Sequence, residues 1–202
     1  QTFYVKYGDW FAWLCTVVTI GLLGCFFFPS REMKAKVSLP LDLDSFWDKT
    51  NVYNPSLTNK MIAEAEAELR LRLPVELLAL LQKQNGGYTT GYVFPTRIKN
   101  SWASDHLPFN ELSGINLNRD NIMFNFLISD AYRKEFMIPE KLLLLAGDGH
   151  YFIALDYRKS SDPTVSWIDF ECNEDFQIAA SFREFLVGLV KSSEFKYEDE
   201  MI

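Results

Sequence analysis

Catalytic signatures are missing from this sequence. It has no GxSxG elbow, no P-loop, no HExxH and no dinucleotide-binding glycine fingerprint. Histidine is scarce: only His106 and His150 occur, and neither has a paired nucleophile at a telling distance. The three cysteines, Cys15, Cys25 and Cys172, make no disulfide framework and no CxxC or Cys/His set with metal spacing. No metal and no cofactor is therefore expected, and the compartment is expected to be reducing. Positive charge is also short. The formal net charge of −7 argues against nucleic acid as a direct ligand.

The charge deficit is uneven. The first 36 residues carry Lys6, Arg31, Lys34 and Lys36 against Asp9 and Glu32, a balance of +2, which leaves −9 on the rest of a chain whose total is −7. An acidic domain of this kind suits a basic partner surface, although the same charge also serves as an ordinary solvated exterior.

What is present begins with an apolar run. Trp10 to Phe28 is 19 residues without a charge. As a helix it spans about 28 Å, enough to cross a bilayer core. Trp10 and Trp13 suit a membrane interface, and Arg31, Lys34 and Lys36 follow the run against Lys6 before it. The positive-inside bias then places the remainder at the cytoplasmic face of the membrane, as a single-pass protein, or in the cytoplasm if the N-terminal segment is absent. A cleaved signal peptide and a lipoprotein cleavage box at Leu22-Leu23-Gly24-Cys25 both conflict with Phe26-Phe27-Phe28, and a buried core helix is the third rival. The stretch Phe3-Tyr4-Val5-Lys6-Tyr7-Gly8-Asp9-Trp10-Phe11-Ala12-Trp13-Leu14 resembles the last segment of bacterial apolipoprotein N-acyltransferase, with Lys6 where that family has Arg. The family's catalytic domain has no counterpart here, so the resemblance implies a membrane anchor left by a fusion or a truncated gene, and no acyltransferase activity.

Residues 37–56 read as a linker with one short helix near Leu43 to Lys49, whose Phe46 and Trp47 either dock on the domain or meet a partner. Thr58 caps a helix from Asn59 to about Arg72 with the stripe Met61, Ile62, Ala65 and Leu69, and with Glu64, Glu66 and Glu68 off it. Pro74 opens a second helix buried through Leu77, Leu78, Leu80 and Leu81, and Asn85-Gly86-Gly87 stops it. Tyr88 to Pro95 reads as a strand and Thr96 to Pro108 as a polar loop. That loop holds Trp102, which is expected in the core in preference to a partner contact. Phe109 to Ile115 is a short turn or strand, Ile122 to Ile128 a strand or short helix, and Ser129 to Phe136 helical.

The organising stretch is Leu142 to Arg158. Two apolar runs flank Gly147-Asp148-Gly149, the pattern of two buried strands joined by a tight turn that sets Asp148 and His150 at an exposed rim. Val165 to Phe170 adds a third antiparallel strand. Ser181-x-x-Glu184 is a capping box, and Phe182, Phe185, Leu186 and Leu189 make the apolar face of the helix it opens. An acidic tail follows at 193–202. Asp148, His150 and Asp156 invite reading as an acid/base cluster, and Asp169 with Glu171 as a carboxylate pair on one strand face. The competing reading makes them turn and surface residues.

The ordered set Glu66-x-x-Leu69, Leu73-Pro74, Asn85-Gly86-Gly87, Ser101-Trp102, Leu112-x-Gly114-Ile115, Leu145 to His150, Ile153 to Arg158, Val165-x-Trp167 and Ser181-Phe182-x-x-Phe185-Leu186 resembles the SMI1/KNR4 (SUKH) family over about Leu57 to Val190. The resemblance implies an α+β domain at 57–192 with a central, mostly antiparallel sheet flanked by helices. It implies no catalysis. Bacterial members of that family resemble immunity proteins that bind polymorphic toxins, often nucleases, and fungal members are cell-wall regulators and interaction hubs. The expected function is therefore a toxin-neutralising binding module, with a membrane-tethered adaptor and an unrecognised hydrolase as the rival classes. The expected partner-binding residues lie near the sheet rim: Asn85, Gly86, Gly87, Trp102, Asp148, His150 and Asp156. For Gly86, Gly87 and Gly147 the alternative is that they simply permit turns.

Overall fold

The computed structural model describes residues 41–196 except Asn51, Asp120 and Ile122. They belong to a compact unit spanning Ala35–Ile202. The run expected to cross a membrane and the N-acyltransferase-like stretch lie outside the described residues. Among the described residues no helix is long and apolar enough to cross a membrane.

The helices follow their caps. Asp42 caps the single turn α1 (Leu43–Phe46), which is shorter than expected and ends as Trp47 turns extended. Phe46 and Trp47 are buried, and the Trp47 indole N–H donates to the Leu80 carbonyl, so this pair docks on the domain. The Thr58 hydroxyl accepts from Met61 N at the start of α2 (Asn59–Leu69). That helix stops earlier than the sequence pattern predicts, because Arg70 takes a left-handed conformation at φ 54° and folds the chain back. The fold-back brings Leu73 N and the Arg72 guanidinium onto the Glu66 carboxylate at 2.9 and 2.7 Å. Glu66, which lies off the apolar stripe, is therefore buried. The second helix, α3 (Val75–Lys83), buries the four expected leucines.

Among the described residues seven strands form two antiparallel sheets. The smaller has the order β2-β1-β7, with β1 at Gly87–Pro95, β2 at His106–Leu112 and β7 at Val190–Lys191. The larger is a meander of β3 (Leu142–Gly147), β4 (Tyr151–Asp156), β5 (Thr164–Asp169) and β6 (Glu174–Ala179). The expected hairpin and third strand are present, and the single central sheet is split in two. The expected polar loop at Thr96 to Pro108 is shortened at its end by β2, and β6 and the two-residue β7 are strands that the sequence analysis does not assign. A bulge in β3 places Leu144 and Ala146 opposite adjacent residues of β4, Ala154 and Ile153. The Leu145 carbonyl, at the bulge, accepts from Ser113 N at 2.6 Å, which ties the end of β2 to the larger sheet.

Both faces of the meander are covered. On one, Ile153, Leu155, Val165 and Trp167 are buried, and α5 (Phe182–Gly188) contributes Phe182, Phe185 and Leu186 to the same core. Half of its capping box forms as expected, with Ser181 Oγ accepting from Glu184 N, while Glu184 Oε2 reaches one residue past the N-cap and accepts from Ala180 N. On the other face, Leu142, Leu144, Phe152, Ala154 and Ile168 join Ile128 and Ile138, with Tyr132 of α4 (Asp130–Glu135) packed on them. Two covered faces explain the unbroken apolar run of β3.

The segment before α4 is neither the strand nor the helix that the sequence offers. It is irregular backbone held by four buried asparagines. Asn85 Nδ2 donates to the carbonyls of Pro55 and Ile115, and its Oδ1 accepts from Ile115 N. Asn54 Nδ2 donates to the carbonyls of Asn85 and Phe124. Asn116 donates to Asn54 Oδ1, and Asn125 accepts from Asn116 N and Leu127 N. Irregular buried backbone requires such partners, because an unpaired buried amide is costly. Replacing Asn85 with Ala strands the Pro55 and Ile115 groups and is expected to lower stability by about 2–4 kcal/mol in a urea titration.

Candidate functional site

The hairpin turn is built by its own polar atoms. Gly147 has φ +150°, and a Cβ there would lie 2.2 Å from the Tyr151 carbonyl oxygen, so only glycine fits. Asp148 Oδ1 accepts from His150 N at 3.0 Å and Tyr151 N at 3.4 Å. Gly147 N donates to Glu111 Oε1 of β2 at 3.1 Å. The His150 ring lies 2.9 Å from the Glu171 carboxylate, with both side chains 68% exposed. The Glu171 hydrogen bond and charge, then the charge of Asp148, raise the His150 pKa above its ordinary value.

Beside this turn stands an aromatic stack. Trp167 is buried, Tyr151 stacks on it at 4.6 Å, and Trp102 meets Tyr151 edge-on at 5.2 Å. Trp102 itself is 49% exposed, which corrects the expectation of a core residue. Its loop is held from below. Asn100 Oδ1 accepts from Trp102 N and Ala103 N, and Ser101 Oγ donates to the carboxylates of Asp169 and Glu174. These bonds fix the backbone and leave the indole outside. Glu174 also accepts from the Trp167 indole at 2.8 Å. Burial, then the charges of Asp148 and Glu111, push the Tyr151 phenol up to about 12, so it stays a neutral donor at physiological pH. Burial alone would raise the Asp169 carboxyl, but the Ser101 and Cys172 hydrogen bonds outweigh it and hold the group below its ordinary range.

The remaining expected site residues go elsewhere. Asn85 is buried in the asparagine network and Gly86 lies against Gly114, whose nitrogen would sit 2.7 Å from an added Cβ. Close backbone approach, not a solvent rim, requires this stretch. Gly87 is buried as well. Asp156 is buried and bound by Arg158, which forks onto Asp156 and Asp175. Asp156 stands at the far end of β4 from His150, about 20 Å along the chain at ordinary strand rise. The imagined Asp148–His150–Asp156 cluster is therefore not assembled. Asp169 and Glu171 are likewise divided between Ser101 and His150. Among the described residues no His, Cys, Asp and Glu side chains are grouped to hold a metal.

The structure thus retains Trp102, Asp148 and His150 of the expected set on one exposed edge and adds Tyr151, Glu171 and Glu174 to it. It also adds Glu111, which the sequence reading left unmentioned because its approach to Gly147 depends on the two sheets meeting. A family model described as SUKH_6, SMI1-KNR4 cell-wall, matches residues 59–186. The chain belongs to the SMI1/KNR4 family. The matched stretch of this SMI1/KNR4 domain runs from the first residue of α2 into α5, and so takes in the meander, its turn and the Trp102 loop. It does not reach the N-acyltransferase-like segment. Neither the curated proteins nor the solved structures give a match.

Because the folded pKa of His150 is raised, any stabilisation from its pair with Glu171 is present at pH below the ordinary histidine value and is lost as pH rises through the folded pKa. An NMR titration of the ring is expected to show a midpoint above that of an unstructured histidine, and Glu171→Gln is expected to move it down. A midpoint unaffected by Glu171→Gln would show that the pair does not form in solution.

Proposed function

We propose that this SMI1/KNR4 domain is a non-catalytic binding module of immunity type, which neutralises a toxin by holding it, and that the edge bearing Trp102 meets the partner. The observation that carries the reading is the half-exposed Trp102 ring, backed by Tyr151 and Trp167, on a loop whose Ser101 is bound by the carboxylates of Asp169 and Glu174, next to the strand whose turn carries Asp148 and the His150–Glu171 pair. A rigid indole on a buried aromatic base is the kind of anchor around which binding energy concentrates. Carboxylates at its rim favour a basic partner and speed its approach. A nuclease toxin, whose own surface is shaped for phosphates, has that charge. Membership of a family with immunity-type members supports the same reading. The acidic balance of the chain beyond its first 36 residues supports it as well. The apolar run Trp10 to Phe28 then holds the module at the cytoplasmic face of the inner membrane.

Co-expression with a toxin encoded beside this gene is expected to rescue growth, and the purified pair is expected to form a tight complex. Trp102→Ala is expected to weaken that complex at least about 30-fold, the ~2 kcal/mol of a hot-spot residue. It leaves the melting temperature near that of the parent protein, since the ring is not in the core. Association is expected to slow as salt is raised, while dissociation changes little. Failure to rescue against every adjacent toxin would overturn the immunity reading. Recovery of envelope proteins in place of a toxin would favour the adaptor.

A further inference from the structure

The turn that carries Asp148 borders a second feature, a groove of about 370 Å³ where the two sheets meet under α4. Its walls are aromatic: Tyr88 of β1, Phe124, Tyr132 and Phe152 line it. Tyr88 and Phe124 are set edge-to-face at 4.9 Å, and Tyr88 remains 45% exposed. Two carboxylates, Glu111 and Asp148, also line the groove, and no Lys, Arg or His lines it among the described residues. Each carboxylate spends one oxygen on the fold: Glu111 Oε1 on Gly147 N, and Asp148 Oδ1 on the backbone N–H groups of His150 and Tyr151. The second oxygen of each accepts no hydrogen bond among the described residues. Burial, then the nearby charge of Asp148, lifts the Glu111 carboxyl above its ordinary range, so its ionised form is under-compensated by the fold.

A cavity with ring walls and paired acid oxygens at one end matches one side chain in particular. A guanidinium is flat, stacks on tyrosine and phenylalanine faces, and offers paired N–H groups to carboxylate oxygens. An ammonium presents a point charge with a tightly held water shell and gains less from the rings. We propose that the groove receives an arginine side chain of the bound protein, lying against Tyr88 and Phe124 with its guanidinium on the carboxylates of Glu111 and Asp148. The choice of a protein as occupant rests on the binding-module reading. The groove chemistry does not.

The test uses the whole chain and a free probe. N-acetyl-arginine amide is titrated into the labelled protein and followed by amide NMR shifts, with N-acetyl-lysine amide and the neutral N-acetyl-norleucine amide as comparisons. The expected result is a saturable shift centred on Glu111, Gly147 and Phe124, with roughly millimolar affinity for the arginine probe. The lysine probe is expected to bind several-fold more weakly and the neutral one not measurably. Glu111→Gln and Asp148→Asn each keep the acceptor used by the fold, so both are expected to stay folded while weakening the arginine probe at least about fivefold. No saturable shift overturns the inference. So does equal binding of all three probes, equal binding of arginine and lysine, or affinity unchanged in both variants. Where a toxin complex is in hand, the same two variants are expected to weaken it. A complex insensitive to both would overturn the arginine contact while leaving the binding module standing. Probe binding without any toxin partner would overturn the immunity reading while leaving the groove standing.

Discussion

The bond from Ser113 N to the Leu145 carbonyl ties the end of β2 in the smaller sheet to β3 of the larger one. It exists because β3 is bulged at Leu145, and the bulge frees a carbonyl that a regular ladder would have used within the meander. One consequence lies two residues either side. Gly147 N reaches Glu111, so the hairpin turn is held by β2 as well as by its own Asp148. Another lies just beyond β2, where the chain continues as Gly114 to Asn116 and is taken up by the asparagine network. The groove, the turn and the position of Phe124 all depend on this junction.

How much of this was legible in the sequence divides along a physical line. Features set by neighbours in the chain were readable. The cap at Thr58, the box at Ser181 and Glu184, and the hairpin flanking Gly147-Asp148-Gly149 are local, since their geometry follows from a few successive backbone angles. Features set by distant contacts were not. Helical projection sets Glu66 off the apolar stripe, with Glu64 and Glu68. Its burial comes from a left-handed turn at Arg70, which a non-glycine residue does not advertise. Asn85 looked like part of a rim for the same reason. Its three partners come from Pro55 and Ile115, each thirty residues away. Size favours the core for Trp102, and size does not reveal that Asn100 and Ser101 hold the loop so that its indole stays outside.

The candidate site shows the same division. Asp148 and His150 were placed on an exposed edge from the turn alone, and there they remain. Asp156 was grouped with them by closeness in sequence, yet a six-residue strand carries it to the opposite end of the sheet. Alternation along a strand predicts which face a residue occupies. It says little about which end of the sheet becomes a site. Glu111 and Tyr88 belong to the groove only because β1 and β2 run past the β3–β4 turn, a relation between elements that no spacing in the chain records.

Net charge is likewise a poor guide until the acids are sorted by what they already hold. Glu66, Asp156, Asp169, Glu174 and Glu184 are acceptors for backbone, guanidinium, hydroxyl or indole groups, and their charge is largely committed to the fold. Glu171 shares its charge with His150 while that ring is protonated. As pH rises through the raised His150 pKa the ring becomes neutral, and the edge beside Trp102 gains one net negative charge. Glu111 and Asp148 each keep an oxygen that the fold does not use. The acid excess of the chain therefore reduces, at the place where an aromatic anchor and an aromatic groove adjoin one turn, to a few carboxylates with capacity left over. Those are the groups that a basic partner meets first and that its arginine side chains are best shaped to satisfy.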